Sequence, residues 1–129
     1  TNQPGLAQGD LDLDQLNAIH HKLHDLLDRL GGHVVAIAFC PHSPEAGCDC
    51  RKPATGMYQQ LAERFDVPLD TVIVIGTRLA DVTAAANLGA RPMLISTGNG
   101  AEDALELDVH QVPCFDNLAH LASALLVEE

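Results

Sequence analysis

Four residues in one short stretch carry the chemistry of a metal site. Cys40-Pro41-His42 and Cys48-Asp49-Cys50 set out the spacing C-x-H-x5-C-x-C. Three thiols and one imidazole, at Cys40, His42, Cys48 and Cys50, are a complete tetrahedral set for Zn²⁺. Ligands in pairs one residue apart suit an extended loop that folds around the ion, and Pro41, Pro44 and Gly47 supply its turns. Four protein ligands leave no open position for water, so the expected role is structural. A disulfide framework is the competing reading. It is disfavoured because cysteines one residue apart pair poorly and no leader pattern indicates secretion. Cys114 lies outside the cluster and is expected to be a small core residue. His20 and His24 are spaced i, i+4 beside His21, but without a third ligand they read as a solvated helix face. His33, His110 and His120 carry no motif.

Three other segments have the chemistry to handle phosphate. Arg51-Lys52-Pro53 directly follows the last thiol, so a bound metal would hold its backbone. Arg grips phosphate bidentately and Lys acts as a point charge. The alternative is a pair of solvated surface cations. Thr1-Asn2-Gln3 offers a hydroxyl, two amides and backbone N–H groups. Gly76-Thr77-Arg78-Leu79-Ala80-Asp81 puts small and polar residues where a strand gives way to a helix. There Asp81 reads equally as a cleft residue or as a first-turn acid favoured by the helix dipole.

The elements that must position these residues follow from periodicity. Thr1 to Gly9 is loop-like. Asp10, Asp12 and Asp14 make a negative first turn, and Leu16, Ile19, Leu23, Leu26, Leu27 and Leu30 repeat at helical spacing up to Gly31-Gly32. Val34 to Phe39 reads as a buried strand. Thr55 caps a helix running through Phe65. Thr71 to Ile75 is a strand, Leu79 to Leu88 an Ala-rich helix closed by Gly89, and Pro92 to Ser96 a strand ending in the turn Thr97-Gly98-Asn99-Gly100. Val112 to Phe115 is a short strand, and Asp116 caps a last helix from Asn117 to Leu126. Strands alternating with helices predict an α/β layer fold with a parallel sheet, whose ligands sit beyond the carboxyl ends of the strands.

Composition bounds the functional classes. The chain has 129 residues, 47% hydrophobic and 19% charged, the make-up of one globular domain. Its 7 Lys and Arg face 18 Asp and Glu, for a net charge of −11. So acidic a surface repels phosphate backbones, so nucleic-acid and membrane partners are not expected. Aromatic residues are only 3%, with no Trp, so the core must be aliphatic. The apolar stretches are far too short to span a bilayer. A cytoplasmic, monomeric protein is expected.

Taken together, the motifs resemble a known family. Thr-Asn-Gln-x-Gly-Leu-Ala at 1–7, Leu16-Asn17-x-Ile19-His20, Cys40-Pro41-His42, Cys48-x-Cys50-Arg51-Lys52-Pro53 and Gly56-Met57 are similar to the heptose bisphosphate and histidinol-phosphate phosphatases of the haloacid dehalogenase superfamily. The likeness covers nearly the whole chain. It implies one domain over 1–129, with a zinc loop at 40–53, and a Rossmann-like three-layer parallel sheet, incomplete at its N-terminus. It implies Mg²⁺-dependent hydrolysis of a sugar phosphate monoester through an aspartyl-phosphate, foremost at the 7-phosphate of a heptose 1,7-bisphosphate. The product would feed the heptose branch of lipopolysaccharide synthesis. Histidinol phosphate is the alternative substrate, and a phosphate-binding module without catalysis the alternative function.

By resemblance, Thr1, Asn2 and Gln3 hold the phosphoryl group, Arg51 binds substrate, and Lys52 offsets charge on phosphate and nucleophile. Cys40, His42, Cys48 and Cys50 match the family's zinc ligands. Two departures stand out. The family's Asp-x-Asp strand has no counterpart, because Asp10-Leu11-Asp12-Leu13-Asp14 opens a helix, so the nucleophile is expected ahead of Thr1. The chain is thus read as the C-terminal portion of a longer phosphatase, inactive on its own, with an unpaired sheet edge and an exposed apolar face. Second, the family's Gly-Asp-x-x-x-Asp reads Gly76-Thr77-Arg78-Leu79-Ala80-Asp81, so a Mg²⁺ ligand is replaced by Thr77, leaving Asp81 as the magnesium candidate. A neutral hydroxyl is a weaker partner for a hard dication than a carboxylate. Pro4 also stands for a usual Ser, and Gln8 for a usual Arg.

Overall fold

The computed structural model describes residues 1–98, 100–106 and 112–127. The chain forms two compact units, 1–51 and 52–129. The first holds a short helix α1 (Gly5–Gln8), a long helix α2 (Leu13–Asp28) and a loop with a 3-10 turn at Pro44–Ala46. The second holds α3 (Gly56–Phe65), a 3-10 turn (Leu69–Thr71), β1 (Ile73–Gly76), α4 (Leu79–Asn87), β2 (Arg91–Ile95), α5 (Gly100–Glu106), β3 (Cys114–Phe115) and α6 (Leu118–Val127). Among the described residues, no helix is long and apolar enough to cross a membrane.

In the first unit, the opening segment is not all loop. Pro4 and Gly9 bracket the single turn of α1, with Gly9 in the left-handed conformation that ends it. Asp12 is the N-cap of α2, its carboxylate accepting from the Gln15 backbone N–H while the Gln15 side chain accepts from the Asp12 N–H. This capping box starts the helix after Asp10 and leaves Asp14 in the first turn. The expected apolar stripe is there, but only Leu16 is buried; Ile19, Leu23, Leu26 and Leu30 are exposed.

Val34 to Phe39 is not a paired strand. Among the described residues, the one bridge beside it is parallel, between Asn2 and Cys40. Thr1 N donates to Ala38 O at 2.8 Å, Cys40 N to Thr1 O at 2.9 Å, and Gln3 N to Cys40 O at 2.8 Å. A buried parallel strand needs neighbours along its length. Here pairing stops after one bridge, and Val35 stays exposed.

The second unit is a parallel sheet of order β1-β2-β3, with Val74 opposite Pro92 and Leu94 opposite Cys114. Side chains alternate across β2. Leu94 packs with Val82 of α4 and Val112, while Met93 and Ile95 pack with Leu121 of α6. Helices therefore cover both faces, giving three layers. Ala84 and Ala85 are fully buried, their small side chains letting α4 lie close on Val74. Full burial of Leu94 and Leu121 contributes about 1.5–3 kcal/mol each. Among the described residues β1 pairs on one side only, and Ile75 is exposed.

Several local expectations shift. Thr55 occupies the N-cap position of α3 but makes no side-chain capping bond, since its backbone is already helical. Thr71 ends a 3-10 turn, so β1 starts at Ile73. Asn117, not Asp116, caps α6, accepting from the His120 N–H at 2.9 Å. Cys114 is exposed, because Phe115 takes the inward position of β3. Helix α5 was not anticipated, and Asn99 of the expected turn lies outside the described residues, as does His110.

Candidate functional site

Two constellations emerge, one in each unit. In the first, the ligand atoms of Cys40, His42, Cys48 and Cys50 all lie within 4.8 Å of one another. Cys40 Sγ is 3.5 Å from His42 Nδ1, 3.6 Å from Cys48 Sγ and 3.1 Å from Cys50 Sγ, and His42 Nδ1 is 3.1 Å from Cys50 Sγ. Bond lengths to zinc place ligands of a tetrahedral site about 3.5–3.8 Å apart. These four separations come within about 0.7 Å of that spacing, and the donor set is the one zinc takes, so these residues fit a Zn²⁺ ion. The chain returns to close it through the 3-10 turn and Gly47, at φ 66°.

Crowding sets the thiol protonation. Burial works against the Cys48 thiolate, but the Arg51 backbone N–H and the Cys50 and Cys40 thiols outweigh it and bring Cys48 down to about 6. Cys50 is pushed up to about 12, foremost by its bond to Cys40 and then by burial. Cys48 is thus the readier thiolate, and a bound dication would favour the thiolate of Cys50 as well. The same unit carries Thr1, Asn2, Gln3 and Arg51. Gln3 Nε2 donates to Thr1 Oγ1 at 3.2 Å, and the Asn2 bridge ties this segment to Cys40. Arg51 Nη1 is buried without a hydrogen-bond partner among the described residues.

In the second unit, Lys52 Nζ donates to Asp81 Oδ1, and the two side chains are 19% and 9% exposed. Asp81 Oδ2 accepts from the backbone N–H groups of Thr77 and Arg78, both at 3.1 Å. Asp81 is therefore both the first-turn acid and the partner of the expected phosphate lysine. Gly76 makes the arrangement possible: a Cβ there would lie 2.2 Å from Asp81 Cβ and 2.7 Å from its Oδ2. Tyr58 stands near, its phenol pushed up to about 12 by burial and then by the Asp81 charge.

A second carboxylate was missed by periodicity. Asp103 of α5 accepts from Arg78 Nε at 2.8 Å and from the Leu79 N–H at 2.7 Å through the same oxygen. The Leu79 N–H, then Arg78, hold Asp103 below the usual carboxylate range. The signal was present in Glu102-Asp103, an acidic first turn behind Gly100.

Magnesium fits these residues poorly. Both oxygens of Asp81 are engaged by cationic or amide donors, and Thr77 is neutral. Among the described residues, only the Cys40–His42–Cys48–Cys50 group gathers three or more side chains able to hold a metal.

A family model for HAD-hydrolase-like proteins matches residues 49–121. The chain is 46% identical over 129 residues to the D-glycero-beta-D-manno-heptose-1,7-bisphosphate 7-phosphatase of Bordetella bronchiseptica, covering 99% of this chain and 72% of that one. It is 41% identical over 126 residues to the Pseudomonas aeruginosa enzyme of the same name, covering 98% and 71%. Among solved structures, it resembles the B. bronchiseptica D,D-heptose 1,7-bisphosphate phosphatase complexed with magnesium and phosphate. There the TM-score is 0.95 at 45% identity, over 100% of this chain and 73% of that one.

Proposed function

This chain belongs to the heptose-1,7-bisphosphate 7-phosphatase family of HAD-like hydrolases, and from that premise we propose that it serves the removal of the 7-phosphate from D-glycero-D-manno-heptose 1,7-bisphosphate. The observation that carries the reading is the part-buried Lys52–Asp81 pair at the carboxyl end of β1, in a chain 46% identical to a phosphatase of that name. The identity runs through both units, which supports treating 1–129 as parts of one phosphatase domain.

In this reading, Thr1, Asn2 and Gln3 hold the phosphoryl oxygens through hydroxyl, amide and backbone N–H groups. Arg51 binds the substrate phosphate; its buried, unpartnered Nη1 supports that role. Lys52 presents a fixed positive charge to the phosphoryl group, and Asp81 keeps its ammonium in one place. Positioning and charge of this kind supply most of the catalysis in phosphoryl transfer. Zn²⁺ held by Cys40, His42, Cys48 and Cys50 would cross-link the loop that ends at Arg51, a structural contribution. The transfer to an aspartate is not assigned to the Asp10–Asp14 run, since Asp12 caps α2 and Asp10 and Asp14 are exposed at its start.

The test is ³¹P NMR of the heptose 1,7-bisphosphate with the protein purified from its own source. Loss of the 7-phosphate with retention of the 1-phosphate is expected, and Lys52→Ala should slow it by about 10²-fold or more. Faster turnover of histidinol phosphate would move the substrate to that alternative. Binding of the bisphosphate without hydrolysis would favour the phosphate-binding module, the reading that Thr77 supports.

A further inference from the structure

We propose that the Gly76–Asp81 turn of this chain takes no divalent cation, and that Lys52 carries the positive charge there. The inference rests on the reading above only for the class of ligand, a phosphate monoester.

Mg²⁺ demands near-octahedral oxygen ligation at about 2.0–2.1 Å and binds through one or more free carboxylates. Asp81 is the one carboxylate in the turn, and its oxygens already have partners. Oδ1 takes the Lys52 ammonium, and Oδ2 takes two backbone N–H groups. A dication on Oδ1 would sit against that ammonium and be repelled by it. Moving Lys52 aside would break a part-buried ion pair, at a cost larger than a weak monodentate contact returns. Thr77, the residue that leads into the helix, is exposed and offers a neutral hydroxyl. The next carboxylate, Asp103, is committed through Oδ2 to Arg78 Nε and the Leu79 N–H, which brings a second fixed positive charge beside the turn. The turn thus has its cations built in, as side chains.

Mn²⁺ reports on such a site through the electron paramagnetic resonance of the free ion, because it takes the same oxygen donors as Mg²⁺. The zinc-loaded protein from its own source is titrated at about 0.15 M salt, which screens diffuse attraction to the acidic surface. The expected result is no saturable Mn²⁺ uptake that depends on Asp81. Uptake that persists in Asp81→Asn lies elsewhere and leaves the inference standing. Thr77→Asp should create a site at least about tenfold tighter than any Asp81-dependent uptake of the parent. Inorganic phosphate should bind the parent with an affinity that changes less than about twofold on adding Mg²⁺, apart from any effect that survives in Asp81→Asn.

Saturable uptake by the parent that vanishes in Asp81→Asn would overturn the inference, as would an Asp81-dependent tightening of phosphate by Mg²⁺. If Thr77→Asp does not fold, the parent and Asp81→Asn titrations decide alone. Heptose bisphosphate hydrolysis is a separate readout. Its absence removes the functional reading without touching this one, and Asp81-dependent Mn²⁺ uptake removes this one without touching hydrolysis.

Discussion

Lys52 and Asp81 form a largely enclosed ion pair, its carboxylate buried and its ammonium half-buried, that joins the start of the second unit to the first turn of α4, 29 residues along the chain. The carboxylate also holds the amides of Thr77 and Arg78. Removing the ammonium leaves a buried charge with amide partners only. Breaking a buried pair from one side costs about 3–5 kcal/mol. Lys52→Met should therefore destabilise the protein by about 3 kcal/mol, while Lys52→Met with Asp81→Asn should recover part of that loss. Urea denaturation of both variants checks this; equal loss in each would mean that the pair is not coupled.

Gly76 is the residue that the Asp81 carboxylate leans on. A methyl group at 76 would collide with Asp81 Cβ, Cγ and Oδ2, all within 2.8 Å. Gly76→Ala should cost about 1–3 kcal/mol, and it should push Asp81 off the two amides. Hydrogen exchange at Thr77 and Arg78 reads the second effect: both amides should exchange faster, with those of β2 slowed or accelerated only by the change in global stability.

Zinc should be present at about one ion per chain, and Cys50→Ser should lose it. Because Cys40 donates to Thr1 O and accepts from the Gln3 N–H, loss of the metal should also loosen the opening segment. Elemental analysis checks the first statement, and faster exchange of the Cys40 and Gln3 amides checks the second. A zinc-free preparation with unchanged exchange at both amides would dissociate the loop from the segment.

Asp103 sets a pH dependence. Its carboxyl titrates lower in the folded chain than unfolded, so the unfolded state binds the extra proton as acid is added. The Asp103 contribution is therefore complete above the ordinary carboxylate range and is lost as pH falls through the lowered folded value. The stability difference between the parent and Asp103→Asn should be flat from about pH 8 to 5 and shrink below about pH 4. Urea midpoints across that range measure it; a difference that grows in acid would contradict the Arg78–Asp103 clasp.

Legibility in the sequence followed the range of the interactions. The Cys/His cluster was readable because its four residues sit in one loop, β2 because a strand covered on both faces is a short continuous apolar run, and α4 because burial on one face leaves a period. Lys52 and Asp81 were each marked as candidates, but their pairing joins residues far apart in sequence and no local pattern encodes it. Asn117 displaced Asp116 as a cap, and Phe115 displaced Cys114 from the core, both by one residue in register. The stretch at 34–39 has strand composition, yet a strand also needs a partner along its length, and among the described residues it meets only the Thr1 N–H at Ala38, next to the Asn2–Cys40 bridge. Helix α5 is short and carries no long apolar stripe, and its place rests on the Asp103 contacts together with Ala104 against the core.

The open stripe on α2 has a consequence for the protein as a colloid. Ile19, Leu26 and Leu30 are 55%, 49% and 87% exposed on a chain of net charge −11. In dilute buffer, with a Debye length of about 30 Å at 0.01 M, like charge keeps molecules apart before these side chains meet. Near 1 M salt that length falls to about 3 Å, and adhesion between leucine faces is no longer opposed. Ionic strength, more than protein concentration, should then govern whether a preparation stays monodisperse, the reverse of a protein whose contacts are salt-sensitive ion pairs.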